Sequence, residues 1–238
     1  MRQVALNNHI SGTFNIELEN LRNSVLTMGG EVEQQLIDTL NAVKLNHAGL
    51  AEKVVLNDLK INSMEVQIDE ECLRIIAKRH PTASDLRLIM TISKAITDIE
   101  RMGDEIERIA KLVTRNKLPA SDTIKTSMLL IGDRVAEMMR GTFDAFARQD
   151  EAAALVVYDQ DNRIDSEYKR LLSFTTSEME KSPSGMQDWL DVLWAMRSLE
   201  RIGDRCKNVC EYVIYLTRGT DVRHKSLETI QQKLEDLI

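Results

Sequence analysis

The six residues Ile99-Glu100-Arg101-Met102-Gly103-Asp104 recur 100 positions later as Leu199-Glu-Arg-Ile-Gly-Asp204. Each copy lies within a long stretch whose apolar residues repeat at helical spacing, so both copies predict a helix. Two carboxylates four positions apart share one face of a helix and repel each other by about 0.2–0.5 kcal/mol. A glycine inside a helix costs about 1 kcal/mol relative to alanine. A chain that carries both costs twice has a use for them, and the natural uses are binding a hard cation and admitting a close neighbour at the glycine.

The composition predicts a folded, helical protein. Of the 238 residues, 43% are hydrophobic, 29% are charged and only 4% are aromatic, which fits a globular chain rich in helix formers. The net charge of −7 argues against nucleic acid as a main partner. The start of the chain has no apolar core of a signal peptide, and no apolar run approaches the length needed to span a bilayer. We therefore expect a cytoplasmic protein with three reduced cysteines.

The prolines and a few short polar breaks divide the chain into helices. Pro81, Pro119 and Pro183 each lie in a short polar break, and softer breaks follow residues 46 and 149. They predict six long helices at about 14–46, 49–79, 84–117, 121–148, 151–180 and 184–217, and a shorter helix at about 223–238. Ser84, Ser121 and Ser184 are the expected N-caps, and Gly219 is expected to follow the sixth helix in a left-handed conformation.

Weaker repeats extend the duplication over most of the chain. Met28-Gly-Gly-Glu-Val32 resembles Ile131-Gly-Asp-Arg-Val135, and Gln67-Ile-Asp69 resembles Arg163-Ile-Asp165. Helices one to three thus correspond to helices four to six. The predicted fold is all-α: two tandem, pseudo-symmetric three-helix bundles over residues 1–118 and 119–220, with a C-terminal extension over 221–238.

Two further acid pairs lie one helix upstream of the repeated phrase. Helices joined by a short turn are antiparallel neighbours, so residues equidistant from the turn lie at one height. The midpoints between upstream and downstream pairs fall at about residue 84 and about residue 182, close to two predicted turns. We therefore expect four carboxylates to converge in each half and to bind a divalent or trivalent cation such as Mg, Mn, Fe or Zn, its identity left open. The candidate ligands are Glu65, Asp69, Glu100, Asp104, Asp161, Asp165, Glu200 and Asp204, with Asn208 continuing the row. The alternative is a set of solvated acids paired with neighbouring arginines and lysines.

No catalytic centre is predicted. Cys206 and Cys210 correspond to apolar positions of the first repeat and are expected in the core, and Trp189 and Trp194 are expected in the core or at an interface. A carboxylate-bridged di-iron oxidase of the ferritin-like type is one alternative, but neither Glu100 nor Glu200 is followed by the histidine that such sites use. An inert bundle that dimerises is the other alternative.

The sequence resembles the PhoU family of phosphate-transport regulators. The resemblance rests on the two Glu-Arg-(Met/Ile)-Gly-Asp phrases, on Pro81-Thr-Ala-Ser-Asp-Leu-Arg87, and on Glu211-Tyr-Val-Ile-Tyr215 followed by Gly219-Thr-Asp-Val-Arg-His224. It implies two three-helix bundles and a non-catalytic, often dimeric, cytoplasmic regulator that represses the phosphate-starvation response.

The resemblance also implies partners and a metal. The partners would be the membrane sensor histidine kinase PhoR and the phosphate ABC transporter with its ATPase PstB. The family's (Glu/Asp)-x-x-x-Asp metal motifs would fall on the four acid pairs named above. The second repeat departs from the first in having Ser198 where the first has Asp98, which makes unequal metal sites an expectation.

Overall fold

The computed structural model describes residues 12–117, 122–181 and 186–235, and in these ranges the chain is helical with short connections. The prediction of an all-α fold with six long helices and a short last one is confirmed. The helices are α1 (Gly12–Leu45), α2 (Ala48–Arg79), α3 (Ala83–Thr114), α4 (Asp122–Arg148), α5 (Glu151–Lys181), α6 (Met186–Arg218) and α7 (Leu227–Glu235).

The turns between helices repeat in the two halves. Asn46 follows α1 and Gln149 follows α4, and both have the left-handed conformation with φ of 51°. In each case the amide of this residue and the following amide bond back to the last turn, as in His47 N to Ala42 O (2.9 Å) and Asp150 N to Ala145 O (2.9 Å). The side chain that follows then caps the next helix. Each half therefore starts with the same helix–turn–helix unit.

The expected helix ends are partly right. Gly219 follows α6 with φ of 72° and donates its amide to Tyr215 O at 2.8 Å, as predicted. The N-cap of α3 is Thr82, so the prediction of Ser84 was wrong; Ser84 lies in the first turn. Ser121 and Ser184 lie outside the described residues. The last helix begins at Leu227, four residues later than expected.

The six long helices form two layers. α2, α3, α6 and α5 are neighbours in that order, while α1 packs on α2 and α3, and α4 packs on α5 and α6. The two bundles meet through α3 against α6 and through α1 against α4, and their apolar side chains form one continuous core. The predicted boundary between residues 118 and 119 lies outside the described residues.

Two glycines explain the first of the weaker repeats. A Cβ atom on Gly29 of α1 would lie 3.0 Å from Phe143 of α4, and a Cβ on Gly132 of α4 would lie 2.2 Å from Leu40 of α1. The two contacts are related by the same internal symmetry as the sequence repeat. Glycine is needed at both positions because each receives a large side chain from the other bundle.

Candidate metal-binding faces

The second half places its predicted carboxylates at one level. A Cβ atom on Gly203 of α6 would lie 3.2 Å from Asp161 Oδ1 of α5, so this glycine lets α5 and α6 approach at the acidic pair. Burial, helped by Asp204, Asp165 and Asp161, raises the pKa of Glu200 to about 7. The pKa of Asp204 is also raised, by burial and by Asp165. Asp161, Asp165, Glu200 and Asp204 thus share one level, as the sequence predicts, and we call them the second acidic face.

The first half has a different register from the predicted one. Thr97 Oγ1 of α3 donates to Glu65 Oε1 at 3.0 Å, and Ser93 Oγ donates to Asp69 Oδ1 at 2.9 Å. These bonds centre the α2–α3 hairpin on the turn that follows Arg79, so α2 is shifted against α3 by about two helical turns from the predicted register. Glu65 is still close enough to Glu100 to raise the pKa of that carboxyl group. Asp69 lies further along beside Ser93, and its predicted convergence with Glu100 and Asp104 was wrong.

The residue opposite Gly103 is Asp58, which sequence reasoning missed. A Cβ atom on Gly103 would lie 3.2 Å from Asp58 Oδ1, the distance that separates the equivalent atoms at Gly203 and Asp161. Asp58-Leu-Lys-Ile-Asn-Ser63 matches Asp161-Asn-Arg-Ile-Asp-Ser166 at the spacing that relates α1 to α4. That match was the available signal. The alignment of residues 67–69 with 163–165 was therefore wrong, and the first acidic face consists of Asp58, Glu65, Glu100 and Asp104.

The two faces differ in charge. In the first face, burial with Glu107 and Asp104 raises the pKa of Asp58 to about 6. Burial with Asp104, Glu65 and Asp58 raises the pKa of Glu100 to about 7. At the position of Glu107 the second repeat has Lys207, whose Nζ donates to Asp161 Oδ2 at 3.1 Å. The first face is therefore the more negative of the two.

The donor atoms suit a hard cation. Among the described residues, the buried oxygens Asp58 Oδ1, Asp161 Oδ1 and Glu200 Oε2 accept no hydrogen bond, and an unpaired buried carboxylate oxygen is unfavourable. All the side chains of both faces offer oxygen, which fits Mg²⁺, Mn²⁺ or iron better than a metal that prefers nitrogen or sulfur. As the side chains stand, no three Asp, Glu, His or Cys residues of the described chain converge closely enough to hold a metal ion.

Asp98 and its repeat position belong to the contact between the bundles. Asp98 of α3 is buried and accepts bonds from Arg205 (3.0 Å), Asn208 (3.3 Å) and Tyr212 (2.8 Å) of α6. Asn208 is therefore engaged with α3 through its amide nitrogen, which sequence periodicity did not anticipate. At the repeat position, Ser198 donates to Glu105 Oε2 at 2.7 Å. The difference between residues 98 and 198 thus reflects two different contacts between α3 and α6.

Five arginines lie on the surface between the two acidic faces. They line a groove along the contact of α3 and α6 together with Asp104, Glu105 and Asp204. We call this set the arginine seam: Arg101, Arg108, Arg197, Arg201 and Arg205. The surface of the α2–α3–α6–α5 layer is therefore acidic, basic and acidic in turn.

The remaining predictions have clear outcomes. Cys206 and Cys210 are buried, as expected, and burial raises the pKa of both thiols. Trp189 is half-buried against the core, whereas Trp194 is 64% exposed. Trp194 therefore does not lie in the core, and its alternative placement at an interface stays a prediction. In the described part of the chain, no helix is long and apolar enough to cross a bilayer.

Two tandem three-helix bundles with a repeated acidic face on a common layer define a class of duplicated helical-bundle proteins. The family model described as "PhoU domain" matches residues 25–113 and 128–213. The chain is 42% identical over 234 residues to the "Phosphate-specific transport system accessory protein PhoU" of Serratia marcescens, covering 98% of this chain and 96% of that protein. The protein belongs to the PhoU family.

Solved structures agree with this assignment. The crystal structure of PhoU from Pseudomonas aeruginosa matches with a TM-score of 0.83 and 44% identity, over 87% of this chain and all of that one. The phosphate transport system regulatory protein PhoU from Streptococcus pneumoniae matches with a TM-score of 0.81 and 28% identity, over 88% of this chain and 99% of that one. The predicted family and fold are both confirmed.

Proposed function

We propose that this protein is a non-catalytic accessory regulator of phosphate transport, which represses the phosphate-starvation response when phosphate is plentiful. The proposal is carried by one observation: both repeats match the PhoU domain, and relatives named as phosphate-specific transport accessory proteins align over nearly the whole chain. We infer that it acts in the cytoplasm and that it forms a homodimer.

The proposed partners are the sensor histidine kinase PhoR and the transporter ATPase PstB. The charged α2–α3–α6–α5 layer is the surface that we assign to docking, because its alternating acidic and basic stripes can select a partner with the complementary pattern. The protein reaches the membrane through these partners.

We further propose that the acidic faces bind divalent or trivalent cations, with the first face preferred. Three unpaired buried carboxylate oxygens and several carboxyl groups with raised pKa make each face unfavourable when fully ionised. A bound cation would relieve that repulsion. Glu107 in place of Lys207 adds negative charge to the first face.

A genetic experiment tests the regulatory role. Deleting the gene should derepress alkaline phosphatase in phosphate-rich medium, and the intact gene supplied in trans should restore repression. Unchanged phosphatase activity after deletion would reject the role.

A pull-down from phosphate-replete cells should recover the kinase and the transporter ATPase, and recovery of neither would leave the inert scaffold as the better description.

Cation binding is tested by a matched pair of substitutions on one helix. Asp58→Asn should weaken Mn²⁺ binding, measured by calorimetry and by elemental analysis, because Asp58 faces Gly103 and Asp104. Asp69→Asn should leave binding unchanged, because Asp69 is paired with Ser93. Equal losses in the two variants would contradict the assignment. Unchanged metal content and partner binding in an Asp104→Ala/Asp204→Ala double variant would reject the role of the faces altogether.

The enzyme alternative is tested on the same protein. If the iron-loaded protein consumed no oxygen, the di-iron oxidase would be rejected. The Glu-x-x-His pairs that such oxidases use are not present at Glu100 or Glu200.

A further inference from the structure

The arginine seam concentrates positive charge on an acidic protein. Its groove has a volume of about 440 Å³ and is lined by five arginines and only three carboxylates, in a chain whose net charge is −7. Arginine presents a planar fork of donors that matches phosphate oxygens. A groove of this composition favours an anionic ligand with phosphoryl groups.

The floor of the groove holds two of the guanidinium groups in place. Glu105 is buried and accepts bonds from Ser198 (2.7 Å), Arg108 (2.6 Å) and Arg201 (3.0 Å). The side chains of Arg108 and Arg201 remain 54% and 41% exposed. Each guanidinium has five N–H donors, so most of them are left for a ligand. Within the described ranges, Arg101 has no ion pair and no hydrogen bond, and its charge acts on Glu100 only at longer range.

A second groove continues the first and ends at an exposed aromatic ring. It has a volume of about 330 Å³ and shares Glu105, Arg108, Arg197 and Arg201 with the first. Trp194, with its side chain 64% exposed, forms part of its wall. Volumes of this size are typical of small-ligand sites.

We propose that the arginine seam binds an oligophosphate, a ligand with two or more linked phosphoryl groups, and that Trp194 stacks on an aromatic base when the ligand carries one. Arg197, Arg201 and Arg205 occupy successive turns of α6 and span about 12 Å along the helix, which is longer than one phosphate needs. The shared chemistry is the phosphoryl chain, whose source is either a nucleoside triphosphate or inorganic tripolyphosphate. This site goes beyond the proposed regulatory function and stands whether or not the acidic faces hold cations.

Calorimetric titration of the full-length protein with sodium tripolyphosphate and with ATP, in metal-free buffer at physiological ionic strength, tests the proposal. Arg101→Gln combined with Arg197→Gln should weaken tripolyphosphate binding about 100-fold, about tenfold for each arginine. The matched control is Arg163→Gln with Arg170→Gln, two exposed arginines of α5, which should leave binding unchanged. Arg101→Gln alone breaks no ion pair in the described chain, so it gives a valid result even if the double variant does not fold.

Trp194→Ala separates the two sources of phosphate. If ATP binds more tightly than tripolyphosphate and Trp194→Ala removes the difference, the ligand is a nucleotide. If both bind equally and Trp194→Ala has no effect, it is an inorganic oligophosphate. Binding of neither, or equal weakening in the α5 control, would overturn the proposal. Binding only to phosphatidylglycerol vesicles, lost in the seam variant, would also overturn it and make the surface a membrane contact.

Discussion

Neutralising Glu200 should stabilise the protein at alkaline pH, because this carboxyl group is buried among other acids. Glu200 is only 7% exposed, Oε2 has no hydrogen-bond partner in the described chain, and its pKa is raised from 4.5 to about 7, chiefly by burial. In the folded state, Glu200 therefore keeps its proton over a pH range in which the same group has lost it in the unfolded chain. By linkage, the free energy of unfolding falls as pH rises from about 4.5 to about 7 and stays low above that range.

The magnitude follows from the size of the shift. The rise in the pKa of Glu200 from 4.5 to about 7 corresponds to a loss of about 3 kcal/mol in the free energy of unfolding. Solvent screening at the open side of the face reduces this loss to about 2 kcal/mol. Glu200→Gln should thus raise the free energy of unfolding at pH 8 by about 1–2 kcal/mol and change it little at pH 5. The substitution also removes the Arg197–Glu200 ion pair, and this loss reduces the increase in the free energy of unfolding towards about 1 kcal/mol.

Urea denaturation followed by circular dichroism at pH 5, 6, 7 and 8 in chelator-treated buffer measures the effect. Glu70→Gln, which removes an exposed carboxylate of α2, is the matched control and should give parallel pH curves for variant and parent. If Glu200→Gln lowers stability at pH 8 as much as at pH 5, the ionised carboxylate is not unfavourable in the folded state, and the reasoning about the faces fails with it.

Two other substitutions test the contact between the bundles. Gly132→Ala should destabilise the protein by about 1–3 kcal/mol, because its Cβ would lie 2.2 Å from Leu40. Gly30→Ala, whose Cβ would have no atom within 4 Å, should stabilise the protein by up to about 1 kcal/mol. Thermal denaturation measures both changes, and equal shifts in the melting temperatures of the two variants would contradict the close approach of α1 and α4. Tyr212→Phe should cost about 1–3 kcal/mol, because it removes a 2.8 Å hydrogen bond to the buried carboxylate of Asp98, and an unchanged urea midpoint would show that this bond does not help to join α3 to α6.

Local signals in the sequence determined the elements and the duplication. Helical spacing of apolar residues, the polar breaks and Gly219 are properties of neighbouring residues, so they located the helices to within a few positions. The repeated Glu-Arg-x-Gly-Asp phrase identified α3 and α6 as equivalent and predicted two similar bundles. The second acidic face also followed from the sequence, because the α5–α6 hairpin is symmetric about the predicted turn.

The register of the first face was decided only by the tertiary structure. A shift of α2 against α3 by about two turns brings Asp58, instead of the Glu65–Asp69 pair, opposite Gly103, and both registers place carboxylates along the same helix. Packing at Gly103 selects between them, since the helices approach closest where no side chain intervenes. The arginine seam likewise arises only when α3 of one bundle packs against α6 of the other. Residues 100 positions apart become neighbours there, and no periodicity within a single helix can report that contact.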